Sequence, residues 1–414
     1  GAAFCEVYAN GGFDQRGSVE ADDWPVTMCS SGSASGHILI SSAGKTYVYN
    51  LVTNLLTQVT DADMPFPVTR VDFINSYFLA LKRRSIQFNS SALLNPASWD
   101  PLDLYQRSQR GDHLRSLLVA QTDVWLWGIQ SSEVWFNSGD PLDPFQPIPN
   151  AVLDVGCAAV YAPVKFAGSV AWLTENPSGD RQVVIAGPGY QPVPISNHAV
   201  TSELSQYARV DDAEGLSYQM DGHVCYQLNF PSAQMPGWNG VSWVYDATTQ
   251  LWHKRGRWNT ALGIYETDKA RTHMFAFGKH LVGDRSSGQL FEQSMAVYSD
   301  GGEPLRRLRR TRHVGDPDRR KLFGEEFGLI LDSGVGLSSG QGSDPKLMFR
   351  LSRDGAKTWS SERLGSIGKQ GQYGLWAAWT QLGSWYDGVF EVSQSDPVQT
   401  AWIGSYLRAT AGAF

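Results

Sequence analysis

"VWLWGIQSSEVWFN", residues 124 to 137, reads as two short strands on either side of a polar turn. Side chains alternate along a strand, so Val124, Leu126 and Gly128 point one way and Trp125 and Trp127 the other. Both faces are therefore apolar, as in a sheet sandwiched between two neighbours rather than one with a wet face.

Five other stretches repeat the pattern: "HILISSAGKTYVYN" (37 to 50), "YFLALKRRSIQFN" (77 to 89), "VAWLTENPSGDRQVVIAG" (170 to 187), "VCYQLNFPSAQMPGWNGVSWVYD" (224 to 246) and "MFAFGKHLVGDRSSGQLFEQ" (274 to 293). In chain order the six stretches start 40, 47, 46, 54 and 50 residues apart. That period, with several strands per unit, predicts a β-propeller of about six degenerate blades. Composition agrees: 42 Gly and 20 Pro supply turns, while 15 Trp, 16 Tyr and 18 Phe favour strands, so the chain reads as all-β. One helix is expected, over "AVTSELSQYARV" (199 to 210), capped by Ser or Thr.

Near residue 300 the pattern stops. "SDGGEPLRRLRRTRHVGDPDRRKLF" combines Gly and Pro punctuation with a charge run, the mark of a crossing into another domain. Beyond it, "KLMFRLSRDG", "DGVFEVSQSD" and similar segments alternate between turns, predicting a small antiparallel β-sandwich. The expected organisation is an N-terminal arm over 1–30, a propeller over 31–300 and a C-terminal β domain over 301–414.

Charge and motif content exclude several function classes. Residues 301 to 414 carry 15 Lys+Arg against 12 Asp+Glu, a net +3, which leaves −10 on the first 300. An acidic body repels phosphate and suits a surface that DNA slides past without sticking. Cys5, Cys29, Cys157 and Cys225 lack zinc spacing and read as buried free thiols of a reducing compartment. No histidines stand at metal-ligand spacing, and neither a dinucleotide fingerprint nor a P-loop occurs, so no cofactor is expected. No apolar run reaches membrane-spanning length, so membrane insertion is not expected. "GLSSG" (336 to 340) fits the nucleophile-elbow pattern but leads into a Gly/Ser loop and a strand, without the helix that chemistry needs. The aromatics of "EVWFNSG" and "DPFQ" read as core rather than as a glycan platform.

Two features remain as candidates. The first is a basic run of Arg306, Arg307, Arg309, Arg310, Arg312, Arg319, Arg320 and Lys321. It reads either as an interface or DNA-facing strip, since guanidinium groups grip phosphate and carboxylate alike, or as a solvated strand paired with Asp316, Asp318, Glu325 and Glu326. The second is "SRDGAKTW" (352 to 359), which matches an Asp-box, Ser-x-Asp-x-Gly-x-Thr-Trp, through Ser352, Asp354, Thr358 and Trp359, with Ala356 at the usual Gly. Such a box ties a turn through its own side chain and touches no substrate. Sialidase propellers carry several, one per blade; here it occurs once, outside the propeller repeats, so a structural turn is expected. A sialidase-like glycoside hydrolase or a glycan-binding propeller is the alternative.

A family resemblance gathers these readings. "GDHLRSLLVAQTDVWLWGIQSSEVWFNSGDPLDPFQPIPNA" (111 to 151), "DVGCAAVYAPVKFAGSVAWL" (154 to 173), "GLSYQMDGHVCYQLNFPSA" (215 to 233), "WVYDATTQLWHKR" (243 to 255), "GKHLVGDRSSGQLFEQ" (278 to 293) and "GEPLRRLRRTRHV" (302 to 314) resemble, in order, the packaged-DNA stabilisation proteins of short-tailed bacteriophages, the tail nozzle or hub. The likeness spans roughly residues 70 to 414, including the Asp-box-like turn habitual at the family's end. The opening, "GAAFCEVYANGG", reads as shorter than the family's usual start. What the resemblance implies is a non-enzymatic virion protein of the tail, built in the host cytoplasm. It implies a hexamer below the portal and head-to-tail adaptor ring, continuing the channel for double-stranded DNA. A tail needle or plug and tailspikes or fibres attach nearby.

Overall fold

The hairpin at 124–137 forms the middle of a four-stranded antiparallel sheet, Leu114–Ala120, Asp123–Gly128, Ser132–Asn137 and Phe145–Leu153. In the computed structural model, which describes residues 2–107 and 110–412, its two faces meet different neighbours. Val124, Leu126 and Trp135 pack with Leu79, Leu81 and Phe88 of the preceding sheet. Trp125, Trp127 and Val134 pack with Val170, Trp172 and Val184 of the following one. Trp127 lies 5.6 Å from both the Trp125 and the Trp172 ring. Each such side chain, taken out of water, contributes about 1.5–3 kcal/mol.

Six sheets of this kind follow one another as blades: 27–58, 68–106, 114–153, 164–194, 214–255 and 270–293. The first five have four strands as their main ladder and the sixth has three. The protein is a β-propeller of six blades in this region, followed by an antiparallel sandwich. In five blades the repeated stretch covers the second and third strands. In the sixth it is out of phase and begins inside the first strand, Ala270–Ala276. Apolar clusters join blades 1 and 2, 2 and 3, 3 and 4, 4 and 5, and 5 and 6. Before them an N-terminal hairpin, Ala3–Val7 with Phe13–Ser18, lays Phe4 against Ile40, Tyr47 and Tyr49 on blade 1.

Helix α1 spans His198–Leu204, shorter than the pattern predicts, and its cap is Asn197, whose side chain accepts from the Val200 N–H; no Ser or Thr fills that role. The four thiols are free; Cys157 and Cys225 are buried, whereas Cys5 and Cys29 are only half-buried.

By its internal packing the chain divides into one unit of Gly1–Gly256 with Tyr265–Gln293 and a second of Arg257–Ile264 with Ser294–Phe414. In the second unit one sheet orders the strands Arg307–Arg310, Val389–Gln394, Lys346–Ser352 and Arg363–Ser366, and another orders Ala377–Trp385, Leu322–Leu331 and Trp402–Ala411. Leu347, Phe349 and Leu351 alternate inward from the first sheet and meet Phe327, Trp379 and Leu382 of the second. Phe327 and Phe390 stack with ring centroids 4.8 Å apart and planes within 3°.

Candidate functional site

Strand Arg307–Arg310 is the edge of its sheet and pairs only with Val389–Gln394. An edge rich in cations resists unwanted strand pairing, but the structure divides the basic run into two sets with different work.

The arginines of the first set are engaged inside the unit. Arg306 donates to Glu362 Oε1 and Ser393 Oγ, each at 3.1 Å, and lies 4.4 Å from the Trp258 ring. Arg307 donates to Gln394 Oε1 at 2.6 Å, Thr400 Oγ1 at 2.8 Å and the Val398 carbonyl at 2.9 Å, and burial lowers its pKa. Arg310 and Arg350 both donate to Glu391, each at 2.5 Å, and Glu391 is 1% exposed. Arg320 pairs with Asp316 at 2.9 Å and Asp318 at 3.5 Å. Lys321 lies 6.0 Å from the Tyr386 ring. Glu325 and Glu326, the other expected partners, turn elsewhere: Glu325 accepts from Thr410, and Glu326 accepts from Tyr406 and faces Arg408. Both stand on strand Leu322–Leu331 of the other sheet, which pairs with Trp402–Ala411, and their partners lie on that neighbouring strand.

The second set is Arg309, Arg312 and Arg319. All three are exposed, and among the described residues none has a carboxylate within ion-pair distance. Arg309 bonds only the neighbouring Leu308 carbonyl. These three are the arginines of the run whose charge is left open to solvent.

The Asp-box residues close a turn. Asp354 Oδ1 accepts from the Lys357 and Thr358 N–H groups and from Ser352 Oγ, while Oδ2 accepts from Thr358 Oγ1 at 2.6 Å. The Thr358 bonds, then that of Ser352, hold this carboxyl well below the usual carboxylate range. Trp359 lies 5.0 Å from the guanidinium groups of both Arg310 and Arg350, the pair that shares Glu391. The turn and the strip are therefore one construction. Sequence reading missed Glu391, Gln394 and Thr400 because they lie 81 to 93 positions from the arginines they hold; Glu391 carries a weak signal as a lone charge in an apolar strand. Buried carboxylates in the propeller are likewise engaged: Glu133 holds Arg107 at 3.0 Å, and Glu214 holds Arg271 and Arg285.

Comparison with known proteins decides the setting of this geometry. The family model described as "Bacteriophage P22 Gp10, beta-propeller" matches residues 1–297. The chain belongs to this family. It is a phage structural tail protein and a component of the virion, with the matched region covering the N-terminal hairpin and all six blades. The strip and the Asp-box lie beyond the matched residues. No curated protein matches the chain. Among solved structures, an exo-β-1,3-galactanase from Phanerochaete chrysosporium aligns over 94% of this chain and 96% of its own at 9% identity and a TM-score of 0.32. The computationally designed Ika4 protein aligns over 41% of this chain and 96% of its own, at 14% identity and a TM-score of 0.27. Among the described residues no helix is long and apolar enough to cross a membrane.

Proposed function

We propose that this P22 Gp10-family chain assembles in the host cytoplasm as a ring, a hexamer, that continues the DNA channel below the portal and its head-to-tail adaptor. The ring retains the packaged double-stranded DNA and passes it during ejection, with a tail needle or plug and tailspikes or fibres attached nearby. The family match over residues 1–297 carries this reading. Two features support it. Identical subunits close a ring through head-to-tail contacts, which need complementary patches, and Arg309, Arg312 and Arg319 offer a cationic patch to the acidic first 300 residues of a neighbouring copy. The net −10 on those residues also keeps a passing duplex from adhering.

The test is the oligomeric state of the full chain, by mass photometry and electron microscopy, alone and with the adaptor protein. Rings are expected, and the triple change Arg309→Glu, Arg312→Glu, Arg319→Glu should cut the ring fraction by about tenfold while circular dichroism stays unchanged. A chain that remains monomeric in every condition would sink the ring. Rings that survive the triple change would remove the strip from the interface.

A further inference from the structure

Among the described residues the propeller has five apolar blade interfaces for six blades. Among the described residues no core cluster joins blade 6 to blade 1. On the blade 1 side, Thr27 and Cys29 of the inner strand face blade 2, leaving Met28 59% exposed. In blade 6, His273 faces Tyr218 of blade 5, and Met274 on the opposite face is 67% exposed. Nor, among the described residues, does a strand exchange close the ring, because every blade is built from consecutive strands and the sixth receives none from the N-terminal hairpin.

What crosses this seam is "EADDWP", residues 20 to 25. Its beginning is fixed to blade 1: the Glu20 N–H donates to Tyr47 Oη at 2.9 Å, Ser42 Oγ donates to the Glu20 carbonyl at 2.6 Å, and Lys45 pairs with the Glu20 carboxylate. Its middle reaches blade 6: the Asp23 carbonyl accepts from Arg271 Nη2 at 2.8 Å. Arg271 is held in turn by Glu214 of blade 5. Its end anchors at the face where the inner strands start. The Trp24 ring lies 6.1 Å from that of Tyr161, ahead of blade 4, with the guanidinium groups of Arg83 of blade 2 and Arg209, ahead of blade 5, at 5.9 and 6.0 Å. A cavity of only about 50 Å³ remains beside it, lined by Trp24, Ser41, Gly44, Thr69 and Tyr161. One six-residue segment thus touches groups belonging to or leading into blades 1, 2, 4, 5 and 6.

We propose that residues 20–25 are a strap that closes the propeller at the seam between its first and sixth blades, with Trp24 as anchor and the Arg271–Asp23 bond as tie. Releasing the strap frees blade 6 while the central blades stay folded, because blades 2 to 4 are held by apolar faces that the strap does not touch. This goes beyond membership of the family and does not depend on ring assembly.

Hydrogen exchange of the full-length chain, read by mass spectrometry, tests it. In Trp24→Ala and in Arg271→Ala, peptides from 270–293 should exchange about tenfold faster, with those from 114–153 unchanged, since a segment opens according to the interactions that hold it locally. Trp24→Phe, which keeps a ring at the anchor, should stay near the wild type. A protease site inserted between Ala21 and Asp22 and cut after folding separates closure from folding, and the cut should produce the same gain in blade 6. Unchanged exchange in 270–293 after cleavage would overturn the strap, and so would equal acceleration of 114–153 and 270–293 in the substituted chains.

Discussion

Blades 3 and 6 come from the same kind of repeat, yet they are held in different ways. Blade 3 is packed on both faces: Val124 and Leu126 are fully buried on one side, Trp127 on the other. Blade 6 is packed on one face only, by Val282, Ala270 and Phe291 against Leu216, Tyr218 and Val244. Its remaining attachments are polar, through Glu214 with Arg271 and Arg285. A propeller blade is stable in proportion to the apolar faces it shares, and where a face is missing, charge-assisted hydrogen bonds and a strap stand in for it.

The largest effect that sharpens this comparison is loss of core in blade 3. Trp127→Ala should destabilise by about 3–5 kcal/mol, because the cavity opens between Trp125 and Trp172 in a site unable to collapse. Met274→Ala, on the open face of blade 6, should change stability by less than about 0.5 kcal/mol. Urea unfolding of both variants checks this. Comparable losses would mean that the Met274 face is covered in solution.

Next in size is the polar attachment. Glu214 is 5% exposed and accepts from Arg271 at 3.0 Å and Arg285 at 2.6 Å. Glu214→Gln should cost about 2–3 kcal/mol, since two charge-assisted bonds weaken and two half-buried cations lose their counter-charge. The loss should show first as faster hydrogen exchange in 270–293. Uniform acceleration across the propeller would contradict the local character of the tie.

A smaller, pH-dependent difference follows from His273. Its Nε2 lies 3.0 Å from His280 Nδ1, and the ring lies tilted 5.6 Å from that of Tyr218. Burial first, and then the neighbouring His280, hold its pKa below the ordinary value, against a backbone hydrogen bond with Ser217 that raises it. The unfolded chain therefore takes up the proton first. Stability from this residue is complete above about pH 6.5, the ordinary value for histidine, and is lost as pH falls below it toward the lower folded value. Blade 3 contains no histidine. Acidification from neutral should loosen 270–293 but not 114–153 in hydrogen exchange corrected for intrinsic rates, and His273→Gln should remove the difference.

These contrasts mark how far the sequence could be read. The alternation of Val124, Trp125, Leu126 and Trp127 identified a doubly buried strand because burial on both faces leaves an apolar run, and the 40- to 50-residue period followed from it. The phase of the sixth unit was not legible, because "MFAFGKHLVGD" has the same apolar-turn-apolar form whether it is a first or a second hairpin. Helix α1 was legible, but its cap was not, because Asn197 stands two positions ahead of the stretch that carries the helical pattern. The basic run was visible as a run, yet its division into engaged and open arginines depends on Glu362, Glu391 and Gln394, brought there by sheet pairing over long separations. Trp24 carried no periodic signal at all, since its partners Arg83, Tyr161 and Arg209 stand on or ahead of three different blades.

The smallest expected effect concerns the turn that starts blade 6. Phe277 and Gly278 join its first two strands with φ of +55° and +72°, the left-handed pair of a two-residue hairpin. Blade 5 makes the corresponding turn with Asp221 and Gly222, at +49° and +79°. Asp tolerates that region, whereas a bulky L-residue there pays roughly 1 kcal/mol in steric strain. Phe277 recovers little of this by packing, being 54% exposed. Phe277→Asn should therefore stabilise the chain by about 0.5–1 kcal/mol, measured by urea unfolding, and should slow exchange in 270–293 alone. If the change destabilises instead, the exposed Phe277 ring is making a contact in solution, and blade 6 would have a partner on the face that distinguishes it from blade 3.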